Sequence, residues 1–509
     1  MITKILSGAI IGVDGYIVNV EVDFSQGLPA IDIVGLPDSA VKESKERVRA
    51  AIKNSKYTLP ARRITINLSP ADIRKEGPAF DLPIAVGILV CMGAIDPDKI
   101  RNTFIAGELS LDGEIHHVNG ILPMIYCALQ NNITKCIVPF DNANEAAIVE
   151  GMEVIAVKNL SQLIFHLMQK PLLPVKINAQ DIFSMAHDDF DLDFSDVKGQ
   201  ENVKRAIEIA AAGNHNILMI GAPGTGKTMI AKRLPGILPD LTFDESVQVT
   251  KIYSVSGLLS EKDVLVTKRP FRAPHHTISY SALIGGGRIP KPGEISLAHK
   301  GVLFLDELPE FHKNVLEVMR QPLEDKYVTI ARVNGIVTYP ADFMLVASMN
   351  PCPCGYFGSN TKCNCTPNEI SRYLNKISGP MLDRIDIQVE AAAINYNDLS
   401  TARKSESSRQ IKMRVLAAQK IQYNRYKSIG LRYNSQLTAS QIEKYCKLDG
   451  QGQEILKSAF NNLKLSARAY NKILKLARTI ADLAAEENIL TEHIAEAIQY
   501  RNLDRKYWN

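Results

Sequence analysis

The sequence has no apolar run that approaches the length of a membrane-spanning helix, and its N-terminus lacks the pattern of a signal peptide. We therefore expect a soluble, cytoplasmic protein with no membrane partner. The net charge is only +4, so any binding of nucleic acid would need local basic patches. The 509 residues are enough for roughly two to four domains, and no tandem repeat is apparent.

Cysteine is sparse and unevenly placed. Four of the eight cysteines are scattered through mostly apolar stretches, as free buried thiols are: Cys91, Cys127, Cys136 and Cys446. The other four form two C-x-C pairs separated by eight residues: Cys352, Cys354, Cys363 and Cys365. Four thiolates can close a tetrahedral Zn²⁺ site, so we predict a structural zinc in the loop at 352–365. Reduced thiols without metal are the alternative.

A glycine-rich stretch, Gly-Ala-Pro-Gly-Thr-Gly-Lys-Thr, lies between an apolar run predicted to be a strand (216–220) and a predicted helix (228–234). Such a turn directs backbone N–H groups and a helix N-terminus at one point, where a triphosphate binds. Lys227 would reach the β- and γ-phosphates, and the Thr228 hydroxyl would bind Mg²⁺. The predicted ATP site is formed by Gly221, Ala222, Pro223, Gly224, Thr225, Gly226, Lys227 and Thr228.

Two carboxylates end a second apolar run, Gly-Val-Leu-Phe-Leu-Asp-Glu at 301–307. Asp306 is the predicted Mg²⁺ ligand, and Glu307 is predicted to polarise the attacking water. A third strand, predicted at 343–348, precedes Asn350, which would orient the same water. The alternative role for Asn350 is to cap a turn before a proline.

Two arginines complete the predicted catalytic set. Arg384 is the predicted finger that reaches nucleotide held by a neighbouring subunit, where positive charge stabilises phosphoryl transfer. Arg468 follows Ser466, which is suited to cap the last long amphipathic helix, and would contact the γ-phosphate. The alternative for Arg468 is an ordinary surface arginine.

These residues and several longer motifs resemble the ComM/YifB family within the Mg-chelatase-like AAA+ ATPases. The motifs are Phe271–His276, Leu283–Gly287, Pro292–His299, Leu305–Pro309, the cysteine loop and the N-terminal stretch Gly35–Ser44. The resemblance covers nearly the whole chain and implies ATP and Mg²⁺ as cofactors, in a homohexameric ring. It implies a helicase for branch migration during integration of transforming DNA in natural transformation. Single-stranded and branched DNA would be its partners, and recombination proteins are further candidates.

The implied fold class is α/β. It comprises an N-terminal Lon-protease-like (ribosomal S5-like) α+β domain, an AAA+ P-loop core with a helix-two insert (271–293) and a presensor hairpin (327–339), and a C-terminal helical lid. The expected divisions are the Lon-like domain at 1–170, a linker at 171–195, the core at 196–395, a basic helical linker at 396–435 and the lid at 436–509. The insert and the hairpin would present four DNA-binding residues: Arg288, Lys291, Lys326 and Arg332.

The N-terminal domain lacks the catalytic Ser–Lys dyad of Lon. Ala79 stands where the nucleophile would be, and Leu122 lies where the lysine would be, so no acyl-enzyme can form by that route. We expect an inactive fold used for docking or DNA contact. An ATP-dependent protease is thereby excluded.

Residues 401–435 carry nine Lys or Arg and one Glu, with Tyr423, Tyr426 and Tyr433 among them. The run predicts a solvated helix that links core and lid, or DNA contact in which the tyrosines stack on bases; we favour the first. His275 and His276 are predicted to shape the insert. A DNA translocase is the leading function, and a chelatase motor subunit or an ATP-regulated scaffold acting on a protein partner are the alternatives.

Overall fold

The computed structural model describes residues 2–185, 192–259, 264–287, 290–332, 335–358, 361–393, 405–463 and 465–508. The chain divides into two compact units. The first contains Met1–His187 and Thr242–Thr267, and the second contains Asp188–Leu241 and Lys268–Asn509. None of the helices in the described ranges is long and apolar enough to cross a membrane.

The strands lie in both compact units, and they range from alternately buried to fully buried. The described strands are β1 (Thr3–Ile11), β2 (Asp14–Ser25), β3 (Ala30–Val34), β4 (Arg63–Ser69), β5 (Thr103–Ile105), β6 (Glu108–Leu109), β7 (Ile115–His116), β8 (Lys135–Pro139), β9 (Glu153–Val157), β10 (Ile217–Gly221), β11 (Phe271–Arg272), β12 (Gly285–Gly286), β13 (Lys291–Pro292), β14 (Val302–Leu305), β15 (Tyr327–Arg332), β16 (Gly335–Pro340), β17 (Met344–Met349) and β18 (Ile387–Ala391).

Helices connect many of these strands, and the described residues after β18 form helices but no strand. The described helices are α1 (Ser39–Asn54), α2 (Asp81–Cys91), α3 (Ile121–Gln130), α4 (Ala143–Ala147), α5 (Leu160–Met168), α6 (Ala179–Met185), α7 (Glu201–Gly213), α8 (Lys227–Arg233), α9 (Phe243–Ser256), α10 (Tyr280–Ile284), α11 (Glu294–Leu297), α12 (Lys313–Val318), α13 (Arg320–Asp325), α14 (Pro367–Leu374), α15 (Gly379–Leu382), α16 (Ser408–Tyr426), α17 (Ala439–Tyr445), α18 (Gly450–Leu463), α19 (Ala467–Leu483), α20 (Thr491–Gln499) and α21 (Leu503–Trp508).

The first unit is built on a seven-stranded mixed sheet in the order β3-β4-β2-β1-β5-β8-β9. Alternate residues of β4 are buried, as its sequence predicts, and helix α1 begins after Asp38, whose carboxylate accepts a hydrogen bond from the Val41 amide. Helix α9 packs against α3 within this unit. The segment that carries α9 therefore belongs to the first unit, although in sequence it follows the glycine-rich loop.

The second unit contains a five-stranded parallel sheet in the order β11-β14-β17-β10-β18. The central strands are completely buried, which explains their unbroken apolar runs. In parallel strands all carboxyl ends meet at one edge. The residues that follow β10, β14 and β17 are thus placed together. A mixed α/β protein with a parallel sheet, as the sequence predicts, is what the structure shows.

The predicted hairpin is formed by β15 and β16, which pair antiparallel from Tyr327–Pro340 to Arg332–Gly335. The Asn-Gly dipeptide at 334–335 predicts a tight turn between two strands, but Asn334 lies outside the described residues. Within the insert, β12 and β13 also pair antiparallel.

Helix α16 is solvated on one face only. Its side chains at Ile411, Val415 and Ala418 are buried in the core of the second unit. Tyr426 is fully buried, so it cannot stack on a base, whereas Tyr423 is exposed. An apolar stripe with helical spacing runs through the basic stretch, and this stripe, rather than the charge, decides where the helix lies.

Candidate functional site

The glycine-rich loop connects β10 to α8 through a backbone that needs glycine. Gly224 and Gly226 have φ angles of 78° and 86°, in the left-handed region that disfavours other residues. A Cβ atom at Gly221 would lie 2.5 Å from the carbonyl oxygen of Ala391. The loop therefore depends on glycine for its conformation at two positions and for close packing at a third.

Lys227 lies almost buried at the centre of this loop, with 8% of its surface exposed. Its Nζ donates to the carbonyl oxygens of Gly221 (2.7 Å) and Ala222 (2.9 Å) and to Oδ1 of Asn350 (3.3 Å). Burial lowers the pKa of Lys227 from its ordinary value, and the charges of Asp306 and Glu307 act in the opposite direction. A desolvated cation in a glycine-rich loop fits the phosphates of a nucleotide.

Asp306 is held by two hydroxyl groups. The Thr228 hydroxyl donates to Oδ2 of Asp306 over 2.7 Å, and the Ser348 hydroxyl donates to Oδ1. Oxygen ligands at Thr228 and Asp306 are of the kind that Mg²⁺ prefers. Ser348 was missed by the sequence reasoning. The sequence could have indicated this residue, because Ser348 ends the predicted strand two residues before Asn350.

Glu307 follows Asp306 with a φ of 54°, and about half of its side chain is exposed. Its Oε2 atom lies 3.3 Å from Nδ1 of His276. The His276 ring in turn lies against the rings of His275 and Phe311, at 4.1 and 6.4 Å between centroids. His276 thus contacts Glu307, the predicted catalytic acid, and the sequence alone does not predict this contact.

A cavity of about 430 Å³ joins these parts. Its lining includes most of the predicted phosphate loop, the predicted acids and the predicted amide, with three further residues, Met229, Ser348 and Met349. The lining residues are Pro223, Gly224, Thr225, Gly226, Lys227, Thr228, Met229, Asp306, Glu307, Ser348, Met349 and Asn350. The volume is in the ordinary range for a small-molecule site. Of the predicted set, the structure therefore brings together the loop, both carboxylates and Asn350.

Neither predicted arginine is among the described residues that line this cavity. Arg384 lines a second cavity of about 490 Å³, and its guanidinium contacts Oε1 of Glu324 at 2.6 Å and donates to the carbonyl oxygen of Pro380. Arg468 is exposed, and its Nη1 atom lies 3.7 Å from Oδ2 of Asp383. Both arginines thus lie apart from the phosphate loop of their own chain.

The four clustered cysteines come together behind the phosphate loop. Their sulfur atoms all lie within 4.8 Å of one another, with Cys352 at 3.4 Å from Cys354 and 3.7 Å from Cys363. Backbone amides of Tyr356 and Asn364 lower the pKa of Cys354 to about 6. The donor set suits a tetrahedral, sulfur-preferring ion such as Zn²⁺.

The predicted DNA-binding residues lie at the insert and the hairpin. Lys291 and Arg332 are exposed, and Nη2 of Arg332 lies 3.1 Å from where a Cβ of Gly286 would be. Lys326 is partly exposed, 3.5 Å from Oδ1 of Asp342. Arg288 lies outside the described residues.

The positions of the Lon dyad hold no catalytic group. Leu122 is fully buried in an apolar cluster, and Ala79 is partly buried against the same cluster. Two residues after Ala79, the buried carboxylate of Asp81 pairs with Arg47 and accepts from the Ser44 hydroxyl, and the Leu122 amide donates to Oε1 of Glu145.

Family models match three parts of the chain. The model described as Magnesium chelatase, subunit ChlI covers residues 193–399, and Subunit ChlI of Mg-chelatase covers 20–142. Magnesium chelatase, subunit ChlI C-terminal covers 405–501.

Curated relatives match over nearly the full length. Competence protein ComM of Haemophilus influenzae is 43% identical over 98% of this chain and 97% of its own. The uncharacterised protein YifB of Escherichia coli is 43% identical over 98% and 96%. Lon protease 2 of Bacillus subtilis is 28% identical over 30% of each chain, so the likeness to Lon is partial. The chain therefore belongs to the ComM/YifB family of Mg-chelatase-like AAA+ ATPases.

Proposed function

We propose that this protein is an ATP-dependent DNA translocase that promotes branch migration during integration of transforming DNA, in the cytoplasm. The observation that carries the proposal is the meeting of Lys227, Thr228, Asp306, Glu307 and Asn350 around one cavity. Family membership indicates ATPase activity, and the name of the Haemophilus relative points to competence.

In this proposal the loop from Gly221 to Thr228 holds the phosphates of ATP, and Thr228 and Asp306 hold Mg²⁺. Bound Mg²⁺ neutralises charge on the phosphate oxygens. Glu307 accepts a proton from the attacking water, and Asn350 fixes that water in line. Lys227, whose ammonium group is buried, lines the same cavity as the residues proposed to hold Mg²⁺ and water.

Arg384 and Arg468 would act across a subunit interface or through movement of the C-terminal helices. Support comes from their place outside the lining of their own cavity. A homohexameric ring would bring Arg384 to a neighbour's nucleotide, as in other ring ATPases. The helix-two insert at 271–293 and the helical lid are part of this proposal.

DNA would be held by phosphate contacts, because a translocase needs binding that is independent of sequence. We assign these contacts to Lys291, Lys326 and Arg332, together with Arg288. Single-stranded and branched DNA are the proposed substrates, and recombination proteins are candidate partners.

We propose that the chain is divided into five parts. These are the inactive Lon-like domain at 1–170, a linker at 171–195, the ATPase core at 196–395, a basic helical linker at 396–435 and the lid at 436–509. The cysteine loop at 352–365 is proposed to hold a structural Zn²⁺.

The test is ATP-dependent strand displacement on a labelled three-strand junction, with Glu307→Gln as the inactive control. Displacement by the wild type alone is expected. Hydrolysis without displacement would overturn the DNA-motor proposal and would favour the alternative that the chelatase-subunit models suggest, a motor or scaffold that acts on a protein partner.

A further inference from the structure

The cysteine loop lies directly against the nucleotide cavity. Cys352 follows Asn350 by two residues, and Gly355, with a φ of 87°, is packed on the phosphate loop. A Cβ atom at Gly355 would lie 2.5 Å from Cδ of Pro223 and 3.9 Å from Cγ of Asn350. One short segment thus contacts both a residue that lines the cavity and the side chain that bonds Lys227.

The spacing of the sulfur atoms already matches a metal site. Four thiolates around Zn²⁺ at the ordinary bond length lie about 3.8 Å from one another. The separations are 3.4 Å between Cys352 and Cys354, 3.5 Å between Cys354 and Cys363, and 3.7 Å between Cys352 and Cys363. Cys365 lies within 4.8 Å of all three.

Backbone amides orient two of the sulfurs. The Phe357 amide donates to Sγ of Cys352 over 3.3 Å, and the Cys354 amide donates to Sγ of Cys365 over 3.4 Å. Such hydrogen bonds outside the ligand set fix ligand geometry in metal sites. The described residues from 351 to 366 form no helix or strand, so the loop has little regular structure to hold it without a metal.

We propose that Zn²⁺ bound by Cys352, Cys354, Cys363 and Cys365 sets the nucleotide affinity of the neighbouring cavity, by holding Gly355 against Pro223. The inference rests on the proposed ATP site and adds a ligand that controls it. Zinc limits the conformations of the loop, and the packed loop in turn restricts the phosphate loop and Asn350 to the binding geometry. Zinc therefore acts as a positioning ligand and touches no reacting atom.

Thermodynamic linkage makes the coupling reciprocal. If zinc tightens nucleotide binding by a given factor, nucleotide must tighten zinc binding by the same factor. Zinc bound in this loop should thus be harder to remove with a chelator when nucleotide is present.

The first experiment measures zinc per chain by elemental analysis and the affinity for a fluorescent, non-hydrolysable ATP analogue. Wild type should hold near one zinc per chain. Cys363→Ser should lose zinc and bind the analogue about tenfold more weakly, a typical coupling between two sites. Cys127→Ser, which removes a thiol outside the cluster, should change neither value.

A pair of glycine variants separates the contact from the metal. Gly355→Ala should keep zinc yet weaken nucleotide binding, since its Cβ would clash with Pro223. Gly358→Ala is the matched control: its φ of 75° carries a similar backbone strain, but its Cβ would come no closer than 3.8 Å, to the flexible end of Lys506. Removing zinc from wild type and restoring it, with Co²⁺ as a visible probe of tetrahedral sulfur ligation, tests the coupling without any substitution.

The outcomes distinguish the two proposals. A wild type that binds no ATP analogue would overturn the proposed function. A wild type that binds it equally well with and without zinc, or that never holds zinc, would overturn only this inference. Equal effects of Gly355→Ala and Gly358→Ala would likewise exclude the contact with Pro223 as the route.

Discussion

The carboxylate of Glu307 lies 3.3 Å from the imidazole of His276, so a side chain competes with water for the group that we propose as the base. A contact between an acid and a polar neighbour can hold the acid away from substrate until nucleotide is bound. At the scale of single residues, the chemistry of the site therefore depends on which partner Glu307 takes.

Glu307→Gln removes the base but keeps the shape and hydrogen-bonding capacity of the side chain. We expect ATP to remain bound while hydrolysis falls by about a hundredfold or more. Single-turnover hydrolysis and nucleotide retention measure both effects. Glu310→Gln is the control, because Glu310 pairs with Lys376 and does not line the described cavity. Rapid turnover by Glu307→Gln would remove Glu307 from its proposed role.

Two elements of the second unit are joined by an ion pair that is largely, but not completely, buried. Lys472 on α19 lies 2.8 Å from Oδ1 of Asp386, just before β18, and the Asn216 amide donates to the other oxygen. Burial by itself would raise the pKa of Asp386, but Lys472 and His215 outweigh it and hold the pKa well below its ordinary value. The pair thus fixes the C-terminal helices beside the strand that leads to the phosphate loop.

Lys472→Met should destabilise the second unit by about 3–5 kcal/mol, because it leaves a buried carboxylate without its partner. Urea unfolding of the variant measures this loss. The double variant with Asp386→Asn should regain part of it, and Lys420→Met, at an exposed lysine, should change stability little. A loss as small as that of Lys420→Met would contradict the role of the pair.

Protonation of Asp386 has a defined sign. Its pKa is depressed in the folded chain, so its contribution to folding stability is present above the ordinary value near 3.9 and is lost as the pH falls below it.

The charge of a helix alone does not predict how much of the helix is buried. The basic run at 401–435 predicted a solvated helix, yet two of its arginines on α16 pair with buried carboxylates: Arg414, itself exposed, with Glu208, and the partly buried Arg425 with Asp482.

For the whole molecule, we propose that the place of Arg384 makes a single chain incomplete as an ATPase. It contacts Glu324 and lies outside the lining of its own nucleotide cavity. We expect it to serve a neighbour. Mixing Arg384→Ala with Lys227→Ala, each inactive alone, should then restore hydrolysis, because one variant supplies the nucleotide site and the other supplies the arginine.

The assay is steady-state hydrolysis of the mixture against each variant at the same total concentration. Mixing Arg384→Ala with a Lys227→Ala/Arg384→Ala double variant is the control, and it should restore nothing. No recovery in the first mixture would place Arg384 in its own site or in a purely structural role.

The local features of this protein could be predicted from its amino-acid sequence. Apolar periodicity predicts the strands around the site and helix α1, and the need for rare backbone conformations predicts the glycine-rich loop. Both signals depend only on residues that are close together in the chain. Three features could be found only from the folded chain: the hydrogen bond of Ser348 to Asp306, the contact of His276 with Glu307, and the place of the segment carrying α9 in the first unit. These contacts depend on the order of strands in a sheet and on which helix face is buried, and both are set by packing between residues far apart in the chain.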